Sequence, residues 1–81
     1  MTFNIAINVM PLKDLLDPQG KAVLAGLHNL GITIAQDVRI GKRITIMIDA
    51  ASEQDALDAA KIAAEKLLAN QVMEQFEISL I

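Results

Sequence analysis

DVRIGKRITIMIDA, residues Asp37 to Ala50, places Val38, Ile40, Ile44, Ile46 and Ile48 on even positions, so an extended chain points them all to one face. Arg39, Arg43, Thr45, Met47 and Asp49 take the other face, which is mostly polar. The apolar side is almost entirely β-branched, as suits a half-buried strand. Gly41-Lys42 interrupts the run. A two-residue turn there would pair Ile40 with Arg43 and mix the two faces, which disfavours it. A three-residue turn over Gly41 to Arg43 pairs Ile40 with Ile44 and keeps parity, and so does a single long strand bent or bulged at Gly41. The long bent strand is the expectation taken here. Either version leaves Arg39, Lys42 and Arg43 clustered near a bend.

Before this stretch, Thr2 to Met10 alternate: Phe3, Ile5, Ile7 and Val9 share one face, with Asn4, Ala6 and Asn8 opposite. That is a strand ended or edged by Pro11. Pro11 to Leu16 reads as a loop, although Leu12, Leu15 and Leu16 are too apolar to be freely solvated and need the core or a partner. Asp17-Pro18 is a helix start, with Asp as N-cap and Pro at the first helical position. The helix runs to a stop at Gly31, a C′ residue. Val23, Leu27 and Leu30 form its apolar stripe, with Ala22 and Gly26 beside them. Gly20 and Gly26 each cost such a helix about 1 kcal/mol relative to alanine, which makes sense if another backbone or a ligand comes close.

After it, Ser52 with Asp55 makes a variant capping box, and Glu53, Asp55 and Asp58 suit the helix dipole. The second helix is expected over Glu53 to Ala69, with Leu57, Ala60, Ala64, Leu67 and Leu68 along one side and Asn70 closing it in the left-handed conformation. Met73 to Ile81 is a closing strand with Phe76, Ile78 and Leu80 on one face. The order β-α-β(β)-α-β predicts a two-layer α+β sandwich of ferredoxin-like character, one domain over residues 1–81, with an antiparallel sheet and both helices on one face.

Composition bounds the partners. The 81-residue chain is 53% hydrophobic with mean hydropathy +0.40, yet only 2% aromatic. So small and aliphatic a domain cannot readily hide its apolar surface alone, which argues for an oligomer or a larger complex. Cysteine is absent, which excludes disulfides, thiol catalysis and Cys-based metal sites. No window approaches a membrane span or a leader peptide, so the expectation is a soluble, cytoplasmic protein. A net charge of −3 disfavours general nucleic-acid binding.

The candidates for chemistry read better as structure. His28 is the only histidine and has no acid or second ligand beside it in sequence. Ser52 is used as a cap, and neither it nor Ser79 has a companion base. Glu53, Asp55 and Asp58 lack the spacing of a Ca²⁺ loop. Gly20-Lys21 and Gly41-Lys42 lack phosphate-loop spacing. Arg39, Lys42 and Arg43 fit either a phosphate or acidic partner or a solvated bend.

Three motifs then carry a resemblance. Leu16-Asp17-Pro18-Gln19-Gly20-Lys21-Ala22, Asp37-Val38-Arg39-Ile40-Gly41-Lys42 and Lys66-Leu67-Leu68-Ala69-Asn70 occur in an order and spacing that resembles the PurS family. That family is the small subunit of bacterial and archaeal phosphoribosylformylglycinamidine (FGAM) synthase. The chain departs from the family's commoner Pro-Gly at Lys13-Asp14 and Asn-Pro at Asn70-Gln71. The resemblance implies the step of purine synthesis in which formylglycinamide ribonucleotide, glutamine and ATP give formylglycinamidine ribonucleotide, glutamate, ADP and phosphate. It implies a non-catalytic chain joining a glutaminase subunit to a synthetase subunit, with ATP and Mg²⁺ on the synthetase and no cofactor or metal on the chain itself. It also implies a homodimer or homotetramer in isolation. The partner-facing residues expected from the motifs are Asp17, Pro18, Gln19, Gly20, Lys21, Arg39, Lys42 and Arg43. The overhang of the long strand is expected to pair with another protomer. The competing reading is a small regulatory domain that binds an amino acid or nucleotide between protomers.

Overall fold

The computed structural model describes residues 1–81. Strand β1 (Thr2–Pro11) is central, with β2 (Lys42–Asp49) on one side and β3 (Glu74–Leu80) on the other, both antiparallel to it. Register runs from Thr2 opposite Asp49 to Val9 opposite Lys42, and from Ile5 opposite Leu80 to Pro11 opposite Glu74. The alternation read from β1 therefore meets alternation on both neighbours. Phe3, Ile5, Ile7 and Val9, Ile44, Ile46 and Ile48, and Phe76 and Ile78 share one face. Ile5, Ile7 and Val9, flanked on both sides, are fully buried. Asn4, Asn8, Thr45, Glu77 and Ser79 populate the other face, where cross-strand neighbours shelter Ala6 completely.

Helix α2 (Glu53–Ala63) lies on the apolar face. Ser52 Oγ accepts from Asp55 N at 3.2 Å, as the capping motif predicts. Ala56, Ala60 and Ala64 are fully buried against the strands, and their small size lets the helix come close. Because β2 and β3 run parallel to each other, α2 is the crossover of a split β-α-β unit with β1 inserted between its strands.

The sequence places the second helix's end differently. Ala64–Leu68 forms a π turn, closed by Ala69 N donating to Ala64 O at 2.9 Å. The extra residue shifts the helical phase, so Leu68 packs on the core while Leu67, expected on the same side, is 82% exposed. Asn70 does not adopt the left-handed conformation; no non-glycine residue does. Its Oδ1 accepts from Val72 N, and its own N–H donates to Glu74 Oε1, so an Asx-type turn replaces the left-handed cap.

Helix α1 (Pro18–Asn29) begins and ends as read: Asp17 caps it, Pro18 opens it, and Gly31 follows with φ of 90°. It contributes no side chain to the core, however, so only α2 covers the sheet. The reason is topological. β1 and β2 are antiparallel neighbours, and the chain leaves at Pro11 and returns at Lys42 beside the same end of the sheet. The crossover rule does not apply to such a connection. Residues 12–41 form an arm instead. The molecule measures 51 × 24 × 14 Å with a radius of gyration of 16.2 Å, against about 12 Å for a globule of this length.

The long bent strand from Asp37 is likewise shortened. Pairing with β1 stops at Val9, so Val38 to Gly41 have no ladder to join. The Val38 amide donates to its neighbour Asp37 Oδ1, and the Ile40 amide to a side chain of the arm's other limb.

Candidate functional site

The two limbs of the arm are tied together where they meet the sheet. Asp17 Oδ1 accepts from Gly20 N at 3.0 Å, the N-cap bond, while Oδ2 accepts from Ile40 N at 2.9 Å. One carboxylate thus starts α1 and holds the returning strand-like segment. Arg39 reciprocates: its NH2 group donates to Pro11 O at 2.7 Å and Leu12 O at 2.9 Å, capping the carbonyls where β1 runs out. The Nε of Arg39 is buried without a partner. The Ile40 amide, then the Gly20 amide, and then the charge of Arg39 hold the Asp17 carboxyl below the usual carboxylate range, outweighing the effect of its desolvation.

Gly20 is required here by close approach. A Cβ at that position would collide with the Val38 carbonyl oxygen and stand 2.8 Å from Asp17 Oδ2. Gly41 similarly lies on Val9 O and the Met10 side chain. The conspicuous glycines of LDPQGK and VRIGK are therefore the two surfaces of one joint. Gly26 has nothing within 4 Å of its missing Cβ, so no backbone of this chain explains it. His28 Nε2 donates to Ala35 O at 2.8 Å and staples the far turn of the arm, a structural use for the single histidine.

Two open depressions flank the joint. One, of about 380 Å³, has Pro11, Leu16, Ile40 and Met73 as apolar walls and Asp17 and Glu74 as its ionisable groups. The other, of about 390 Å³, has mixed charge from Lys13, Asp14, Lys21, Asp37 and Arg39. Leu15, Leu16 and Asp17 form the ridge between them. The turn carrying Met73 is fixed by Leu12 N donating to Met73 O at 2.9 Å.

The structure brings together Asp17, Pro18, Gln19, Gly20, Lys21 and Arg39, but in unequal roles. Asp17, Gly20 and Arg39 are spent within the chain, whereas Pro18, Gln19 and Lys21 are exposed. Lys42 and Arg43 line neither depression, and Arg43 lies on the polar face of the sheet, 3.4 Å from Asn8 Oδ1. Leu15 and Leu16, expected to meet the core or a partner, do not fold onto the core and remain exposed. Met73 and Glu74 were not singled out by sequence, because only the pairing of Pro11 with Glu74 carries them to this joint. No three His, Asp or Glu side chains converge in a way that could hold a metal ion.

Residues 4–81 match a family model described as PurS, phosphoribosylformylglycinamidine (FGAM) synthase. Among relatives, the synthase subunit PurS of Mycobacterium leprae is 43% identical over 75 residues, spanning 90% of this chain and 89% of that one. The Bacillus subtilis subunit PurS is 39% identical, spanning 91% and 87%. Among solved structures, a chain of PurLQS from Thermotoga maritima superposes with a TM-score of 0.92 at 28% identity, over 100% of this chain and 99% of that one.

Proposed function

From the premise that this chain belongs to the PurS family and is a small subunit of FGAM synthase, a purine-biosynthetic ligase working as a complex with PurL and PurQ, we propose that it is a non-catalytic coupling subunit. On this reading it bridges the glutaminase and the ATP-dependent synthetase and assists the passage of ammonia between them. ATP and Mg²⁺ are then bound by the synthetase, in the cytoplasm, and this chain holds neither.

The observation that carries the reading is the mismatch between a thin core and a large outward apolar surface. Ile5, Ile7 and Val9 are the only large side chains fully buried, while Leu16, Leu30, Ile34 and Leu67 face outward. A chain built this way stabilises itself by association. Ammonia must also be kept from water and protonation between two sites, and a protein can help to seal such a junction without an acid or base of its own. Self-association belongs to the same proposal: α1 offers Val23 and Leu30 around the unobstructed Gly26, and the outer edges of β2 and β3 are unpaired.

The test is synthesis by the cognate synthetase and glutaminase with and without this chain, using glutamine and, separately, ammonia. Restoration of the glutamine-dependent reaction alone is the expected result and identifies a coupling role. Restoration of both places its effect on the synthetase. No effect on either removes the proposal and favours a ligand-binding domain between protomers.

A further inference from the structure

The outer edge of β2 is an open ladder. Ala50 N donates to Met1 O in register with the β1–β2 pairing, so the even-numbered residues of β2 turn their peptide groups toward β1. Arg43, Thr45, Met47 and Asp49 turn theirs outward, where no strand of this chain receives them. Their side chains are exposed on the face that no helix covers. An edge of this length without a bulge is a template for another strand.

The order of residues along this edge says which strand. Laid antiparallel to a copy of itself about a twofold axis at Ile46, β2 matches at every position. On the apolar face Ile46 meets its own counterpart and Ile44 meets Ile48; on the other face Thr45 meets Met47 and Arg43 meets Asp49. A slip of one residue sets isoleucines against the polar face. Moving the axis to Thr45 sets Lys42 against Ile48, and moving it to Met47 carries Arg43 past Asp49. The outer edge of β3 offers no such match, because its only charged residues are Glu74 and Glu77, and no register of β3 with itself opposes unlike charges. Pairing β2 of one copy with β3 of the next does not close and runs on into a filament.

We propose that two copies of this chain join along their β2 edges in the register centred on Ile46, doubling the three-stranded sheet and keeping both α2 helices on one side. The proposal rests on the self-association put forward above and names its surface and register. The palindromic match, rather than the open ladder alone, makes the occupant a second copy. Asp49 Oδ1 accepts from the Met1 amine at 3.2 Å, and Arg43 Nη1 donates to Asn8 Oδ1 at 3.4 Å, but both contacts are exposed and Asp49 Oδ2 stays available. The ladder's hydrogen bonds and the facing isoleucines therefore supply the binding, and the Arg43–Asp49 pairs select the register.

Sedimentation equilibrium of the full chain provides the test. Arg43→Glu and Asp49→Arg each set like charges opposite one another at both ends of the ladder, while the double variant swaps the charges and restores the match. Thr45→Pro removes an outward N–H and leaves the bonds to β1 in place. Circular dichroism matching wild type shows which variants fold, and if Thr45→Pro does not, the charge swap alone decides. The expected result is self-association about tenfold weaker for each single charge variant, recovered in the double variant, and lost in Thr45→Pro. Single variants that associate like wild type, or a double variant that fails to recover, overturn the register. Self-association untouched by a folded Thr45→Pro places the contact elsewhere and overturns the β2 edge, while self-association itself stands. A wild-type chain that stays monomeric at every soluble concentration removes both, and the glutamine-dependent synthesis assay then judges the coupling role separately.

Discussion

Asp17 serves α1 and the returning limb with two oxygens of one carboxylate, so the charge state of a single side chain bears on the whole joint. Its lowered pKa means that the native state holds the ionised form more tightly than the unfolded chain does. The stability it contributes is full above the ordinary aspartate value of 3.8 and is lost as pH falls through the lowered native value. Asp17→Asn keeps an acceptor for the cap but lacks the second oxygen for Ile40 N. It is expected to lower the thermal midpoint at neutral pH and to flatten the acid limb of a stability–pH profile. Gly20→Ala is expected to cost about 1–3 kcal/mol in denaturant unfolding, because the added methyl meets a backbone oxygen that cannot swing away. Ile7→Ala, at a fully buried site on the central strand, is expected to cost about 2–5 kcal/mol. Arg39→Glu would remove the cap on Pro11 O and Leu12 O, so its effect on assembly is inseparable from damage to the joint; Arg43→Glu, on the polar face, probes a partner without that penalty.

At the scale of elements, period was informative and phase was not. Alternation located all three strands, and Asp17-Pro18 and Ser52-Asp55 located both helix starts, because these signals are local side-chain chemistry. The end of β2's pairing was not local. Val38 and Ile40 alternate as well as Ile44 and Ile46 do, but pairing with β1 stops at Val9–Lys42; the Ile40 amide goes to Asp17 from a distant segment and the Val38 amide to its neighbour Asp37. The π turn was hidden for a related reason: alanines at 56, 59, 60, 63 and 64 support either phase, and only contact with the sheet selects one. Deleting the exposed Lys66 removes the extra residue, so Ala69 bonds back to Ala64 across an ordinary helical turn and Leu68 keeps its side of the helix. The deletion is therefore expected to leave a folded chain in thermal unfolding, and Lys66→Ala to leave unfolding within about 0.5 kcal/mol of wild type. Gly26→Ala, with free space around it, is expected to stabilise the isolated chain by up to about 1 kcal/mol. Weaker self-association in the same variant would show that a second backbone approaches there.

On the scale of the molecule, the motifs that identified the family, LDPQGK and VRIGK, turn out to be chiefly about shape. They hold a 30-residue excursion, residues 12–41, against the end of a three-stranded sheet. Their conspicuous polar residues suggested a partner surface from sequence, yet Asp17 and Arg39 satisfy this chain's own backbone. The depression they border has apolar walls written in less conspicuous residues, Leu16 and Met73 among them, beside the carboxylates of Asp17 and Glu74. The elongation of the molecule leaves the arm's apolar stripe and both sheet edges open. Sedimentation equilibrium is expected to show a dimer or tetramer at micromolar concentration, and Leu30→Glu or Ile34→Glu, at positions 78% and 88% exposed, to shift it toward monomer without unfolding.

The central position of β1 also sets an order in time. The strand made first lies between two strands made later, and one of its pairs joins Ile5 to Leu80. As the chain is synthesised, Ile5, Ile7 and Val9 emerge early and wait for β3, which comes last. Every sheet contact closes a long loop, so folding is governed by distant encounters rather than by hairpins. The nascent chain therefore carries its most apolar strand only partly covered until β3 has emerged, the interval in which a chaperone or an early partner has most to protect.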